Sequence, residues 1–283
     1  MDASISGALW APLSRFLAVF VPLTLLIAGA AIAQPDPSST ESTAERINGH
    51  TVLGEVVPFG HGTARTWVRL DEADQPVSLG VTLTEAALEG LPPRATPGVI
   101  WMVEYIIQFP SDIPLLPFNH AGINWNPHGH PPGAIYDTPH FDFHFYLISP
   151  EQRSLITARG DDIAKCQKVP VSGSLPDGYV YAVGAEEPGM GGHWADPSSH
   201  EFHGQPFTST FIYGTHDGRI IFWEPMITKA LLEQRMDNTI PISQPTVYSQ
   251  PGYYPTSYSI TFDEKRREYT VSFDGLTLRK VSG

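Results

Sequence analysis

One cysteine in 283 residues, Cys166, leaves the chain no intrachain disulfide, so a packed core has to hold the fold. Cations are scarce as well: 17 Lys and Arg stand against 30 Asp and Glu, a formal net charge of −13. The one cationic cluster, Lys265-Arg266-Arg267, falls in a predicted turn. Displacing counterions from a phosphate backbone needs clustered cations, so no nucleic-acid partner is expected. HExxH, CxxC and G-x-S-x-G are all missing, which removes the common zincin, dithiol and α/β-hydrolase signatures. There is no internal repeat. An acidic surface keeps such a chain soluble and attracts cations.

Long apolar runs are confined to two places. The first, Phe16 to Ala33, has Arg15 upstream, no internal charge and the small-residue ending Ala31-Ile32-Ala33. That is the layout of a secretory signal peptide, expected over 1–33. The rival is a retained membrane anchor, since the run approaches spanning length. Pro22 and the small-residue ending favour cleavage and a mature start at Gln34, with no stable membrane anchor afterwards. Residues 34–46 (QPDPSSTESTAER) have no apolar periodicity and read as a disordered linker. Residues 47–283 then form a single β-rich domain, exported to the periplasm or the extracellular space.

Within that domain, period-2 alternation and turn residues dominate. Thr63–Leu70 and Pro76–Thr84 flank Asp71-Glu72-Ala73-Asp74 as a hairpin. Thr84 is expected to cap a short helix, Glu85–Leu91. The second apolar run, Val99–Phe109, reads as a central strand, with Glu104 and Gln108 on the face opposite Trp101, Val103 and Tyr105. Residues 110–139 carry seven prolines and are expected to be irregular. Pro139–Ile148 is a strong strand, and Ser149-Pro150-Glu151-Gln152 is a capping-box start. Hairpins follow at Phe207–Glu224 and Ser257–Phe273, with a helix capped by Thr228 between them. This pattern predicts a mainly β fold, a β-sandwich or open β-barrel with a few short helices.

Nine of eleven histidines lie between His120 and His216. In His140-Phe141-Asp142-Phe143-His144-Phe145-Tyr146, alternation puts His140, Asp142, His144 and Tyr146 on one face. The three phenylalanines face the core, so the polar row is expected to line a cavity. Along a strand, i and i+4 lie about 13 Å apart, too far for His140 and His144 to share one ion. Loops would complete the sphere: His128-Gly129-His130 offers an H-x-H pair, and Gly191-Gly192 carries His193 with the freedom to turn inward. Glu104 and Glu201 are further carboxylate candidates.

The expected ligands are therefore His144 and His193 with one of His130 or His140. Asp142 would orient an imidazole or act as general base. Zinc, iron, manganese and copper all suit such a set. A hydrogen-bonded polar network without metal is the competing reading. Cys166, between Lys165 and Lys168, is weighed as a nucleophile and set below a small buried hydrophobe. Tyr248, Tyr253, Tyr254 and Tyr258 form either a ligand platform or packing.

Several blocks look alike to a known family: Gly62–Val68, Gly80–Pro92, Pro139–Tyr146, Met190-Gly191-Gly192-His193-Trp194 and Phe222–Thr228. Over about residues 55–235 the chain resembles the TTHB-like domain family of exported bacterial proteins of unknown function. The resemblance implies a β-rich fold and export; it brings no reaction and no residue roles. The leading expectation is an exported metal-binding β protein; if it is an enzyme, the metal would act on a small-molecule substrate through activated water or dioxygen. The alternatives are an envelope protein that sequesters metal or answers stress, and a homo-oligomeric binding module with a metal-free network.

Overall fold

The structure, a computed structural model, describes residues 49–93 and 102–281. The expected signal peptide and linker lie outside the described residues, as do Val99 to Trp101. The described part falls in one compact unit.

Alternation of apolar and polar side chains, broken by Gly, Pro and Asp turns, yields fifteen strands among the described residues. They are β1 (His50–Phe59), β2 (Gly62–Leu70), β3 (Pro76–Thr84), β4 (Val103–Gln108) and β5 (His120–Asn126). Next come β6 (His140–Tyr146), β7 (Val180–Tyr181), β8 (Gly192–Ala195), β9 (Ser209–His216) and β10 (Arg219–Thr228). The chain ends with β11 (Asn238–Pro241), β12 (Gly252–Tyr254), β13 (Ser257–Asp263), β14 (Glu268–Asp274) and β15 (Thr277–Arg279). One sheet runs β1-β2-β3-β14-β13-β11 and the other β4-β5-β6-β10-β9-β8-β7, with β12 and β15 as a separate pair. The two large sheets are antiparallel, and neither closes into a barrel.

The sheets pack face to face through aromatics. Phe145 of β6 stacks on Phe273 of β14 with ring centroids 3.9 Å apart, and Phe118 meets Phe145, Trp223 and Phe273 edge-on. Phe141, Phe143 and Phe145 are fully buried in this core. Tyr248, Tyr254 and Tyr258 belong to the same core, and packing accounts for them. The expected fold class and the principal hairpins are present. The capping box at Ser149 forms, its side chain accepting from the Gln152 amide, and Thr228 caps α3 (Lys229–Glu233; the helices before it are α1, Pro150–Ser154, and α2, Ile163–Cys166).

Three expectations are corrected. After Thr84 there is only a single 3₁₀ turn, Glu85–Leu88, because the Thr84 hydroxyl accepts from the Thr63 amide at 3.0 Å instead of capping a helix. The apolar run ending at Phe109 supplies an edge strand: β4 pairs with β5 alone, and Ile106 is exposed. Residues 110–139 are not irregular throughout, since β5 is a wholly buried strand next to β6.

Candidate metal centre

The middle of the seven-stranded sheet turns a second face away from the sandwich core, and that face is polar yet buried. Cross-strand register aligns Asn126, Asn124, Gly122 and His120 of β5 with His140, Asp142, His144 and Tyr146 of β6. On the other flank, Met226 and Thr228 of β10 lie opposite Asp142 and His140, and alternation places Glu224 on the same face. His120, Asn124, Asn126, His140, Asp142, His144 and Glu224 are all buried. Two small apolar clusters cover the row. Tyr136, Phe207, Ile212 and Met226 pack beside the His140 end, and Ile156, Cys166, Met190 and Phe222 pack beside Tyr146. So many polar groups withdrawn from water require partners.

Side chains from four elements converge on this face as two separate sets. One ligand atom from each of His144, His193 and Glu224 lies within 4.8 Å of the other two, and the same holds for His130, His140 and Asp142. The loop histidine His193, in β8, thus reaches the row on β6. His144 and Glu224 approach to 3.5 Å. His193 sets its Nδ1 2.6 Å from the Ala185 carbonyl. A carbonyl only accepts, so Nδ1 carries the proton and Nε2 keeps its lone pair. Both ring nitrogens of His144 and Oε2 of Glu224 are buried without a hydrogen-bond partner.

The second set has the same design. Nδ1 of His130 lies 2.7 Å from the Pro131 carbonyl and Nδ1 of His140 2.7 Å from that of Thr138. Their Nε2 atoms stand 3.6 and 3.1 Å from Asp142, whose Oδ2 accepts from the Asn126 amide at 2.7 Å. Gly129, at φ +72°, bends the His130 loop so tightly that a Cβ there would meet the Tyr136 carbonyl at 1.9 Å.

Electrostatics separate the two sets. Burial drives the His144 imidazole down to about 3 and that of His193 to about 4, so both are neutral at ordinary pH. Burial, reinforced by Asp142, pushes the Glu224 carboxyl well above its usual range. In the other set burial would raise Asp142, but His140 and His130 outweigh it and hold the carboxyl well below the usual value. Burial opposes protonation of His130, and Asp142 overcomes it. The first set thus has no internal cation to hold Glu224 as a carboxylate, whereas the histidines of the second set do this for Asp142.

The structure groups the expected residues differently. His144 and His193 converge in one set, and His130 and His140 in another. Asp142 faces the two imidazoles of the second set and stands among its candidate ligands. The carboxylate that joins His144 and His193 is Glu224, which the sequence reading missed; Glu224 lies in the quoted Phe222–Thr228 block, two residues from Phe222 on the alternating face. Glu104 is instead an ion-pair partner of Arg153, whose guanidinium lies 4.4 Å over the Tyr146 ring. Glu201 accepts from the Tyr136 hydroxyl at 3.4 Å. A third convergent set, Asp162, Cys166 and His216, is a loop hub. Asp162 Oδ1 faces His216 at 3.0 Å and Oδ2 accepts from the Thr157 and Ala158 amides. Burial, with Asp162 and Glu186 nearby, raises the Cys166 thiol, the opposite of the activation its flanking lysines suggest.

A β-sandwich with a buried face of paired His₂-carboxylate sets is the class that fold and site define. Residues 71–125 match the family described as TTHB210-like, Hypothetical protein TTHB210. The likeness to this family of unknown function is shown over that segment, which contains β3, β4 and most of β5. None of the six candidate ligands lies in it. No curated protein and no solved structure matches the chain.

Proposed function

We propose that this protein is an exported metal-binding β-sandwich whose primary ion is a divalent transition metal held by His144, His193 and Glu224. The observation that carries the reading is the convergence of three ligand atoms, those of His144 and Glu224 buried and otherwise unpartnered. A divalent cation would let Glu224 ionise and would take up the free lone pairs of the two imidazoles. The backbone carbonyl behind His193 is the outer support that ligating histidines use to present one fixed nitrogen. Two imidazoles and one carboxylate suit zinc, iron, manganese or copper and leave coordination positions open. If the protein is an enzyme, an ion held by these three residues would supply activation of water or dioxygen towards a small substrate.

Export rests on the residues before the domain: the uncharged run Phe16–Ala33, its Arg15 flank and the Ala31-Ile32-Ala33 ending. Mature protein from an envelope or culture fraction is expected to begin at or near Gln34, and exported material with an intact Met1 rejects cleavage.

The metal reading is tested on untagged protein by elemental analysis, as isolated and after exposure to each metal followed by desalting. Wild type is expected to retain tightly bound metal, and Glu224→Gln and His144→Ala to lose the primary ion. A protein that retains none of the four metals under either condition is a metal-free polar network. Asp142, already compensated by two histidines, is the feature that most favours this second reading.

A further inference from the structure

The row on β6 is too long for one ion. His140 and His144 are four residues apart on an extended strand, about 13 Å between Cα atoms, while a metal–imidazole bond is about 2 Å. The set formed by His130, His140 and Asp142 is therefore outside the reach of an ion at His144, yet it repeats the same donors. We propose that it binds a second divalent transition metal ion, making the centre binuclear. This rests on the metal-centre reading given above.

The second set poses a problem that a cation solves. His140 and His130 each keep Nδ1 at 2.7 Å from a backbone carbonyl, so a proton is there and Nε2 is the atom turned to Asp142. His140 Nε2 and Asp142 Oδ1 are 3.1 Å apart, both wholly enclosed, and neither is in a hydrogen bond. So close an enclosed pair needs positive charge beside it, from a second imidazole proton or from a cation. A metal ion held by both atoms supplies that charge and uses both as ligands.

The support around the set is that of a ligand cluster. Asn126 fixes one Asp142 oxygen at 2.7 Å, and the carbonyls fix both rings. Each set has one partly exposed member, His130 in the second and His193 in the first, beside two buried ones.

The experiment is metal stoichiometry on the full mature chain, reconstituted with zinc and freed of loose metal, with folding of each variant checked by circular dichroism. Wild type is expected to hold two equivalents. His130→Ala changes a partly exposed loop residue and is expected to hold one, as is Glu224→Gln; the double variant is expected to hold none. One equivalent in wild type, kept by His130→Ala and lost in Glu224→Gln, overturns the second ion and leaves the primary site standing. One equivalent lost in His130→Ala but kept in Glu224→Gln overturns the primary assignment and the binuclear centre together. No bound zinc in wild type overturns both.

Discussion

Gly214 shows how single residues shape this face. A Cβ placed there would meet the Phe222 ring at 1.9 Å. Phe222 in turn lies edge-on against His144, with centroids 4.7 Å apart, and tilted against His193 at 5.5 Å. Glycine is needed here for close approach and not for an unusual backbone angle. Gly214→Ala is expected to cost about 1–3 kcal/mol by overpacking and to disturb both histidines through the displaced ring. Urea unfolding checks the first effect. Metal retention checks the second, and a variant with wild-type stability and retention rejects the account.

His120 gives the face a dependence on pH that does not involve the candidate ligands. Its ring stacks on Tyr146 with centroids 4.6 Å apart, and burial, aided by Arg153, lowers its pKa from 6.5 to about 4. Between those values the unfolded chain binds a proton that the folded chain refuses. Stability from this residue is therefore complete above pH 6.5 and is lost as the pH falls towards 4. His120→Gln is expected to flatten this part of the stability profile, read as urea midpoints between pH 7 and 4.5. An unchanged slope would show that His120 is not a source of the acid sensitivity.

At the scale of elements, β6 joins the two halves of the molecule, because one face is core and the other is the candidate site. Phe145→Ala removes a ring stacked at 3.9 Å on Phe273 and is expected to cost about 3–5 kcal/mol. His144→Ala leaves the inter-sheet packing intact and is expected to cost far less in metal-free protein, so denaturation of the two variants without metal distinguishes core from site. The two faces of β6 were readable in the sequence because three phenylalanines alternate with His, Asp and His. β5 was not, for the same physical reason seen from its partner. Its His120, Asn124 and Asn126 face the polar row, and polar residues at buried positions, among seven prolines in 110–139, conceal the alternation of a central strand. Glu224 was hidden in another way. Its strand follows a hairpin over seventy residues from β6, and only the pairing of β10 with β6 brings it beside His144. His193 was accessible because the glycines before it signal a chain that can turn inward.

At the scale of the whole molecule, one sandwich uses its two sides differently. The inner side is an aromatic core shared by both large sheets, whereas the outer side of the seven-stranded sheet is a buried polar layer closed by loops from residues 127–139 and 185–207. Such a layer is a poor source of stability by itself, since its groups give up water for incomplete partners. A ligand that binds only the folded chain reverses this. A metal at about a thousand times its dissociation constant adds about 4 kcal/mol to the folded state. In a domain of this size each kcal/mol is worth roughly 2–4 °C in melting temperature. Saturating zinc is thus expected to raise the melting temperature of metal-free wild type, with two ions, by about 20 °C, that of His130→Ala or Glu224→Gln, with one, by about 10 °C, and that of the double variant by nothing. Differential scanning calorimetry on chelator-stripped protein reads this directly. A rise of equal size in the double variant would place the bound zinc elsewhere on the acidic surface, and the buried layer would then have to be stable through its own hydrogen bonds and ion pairs.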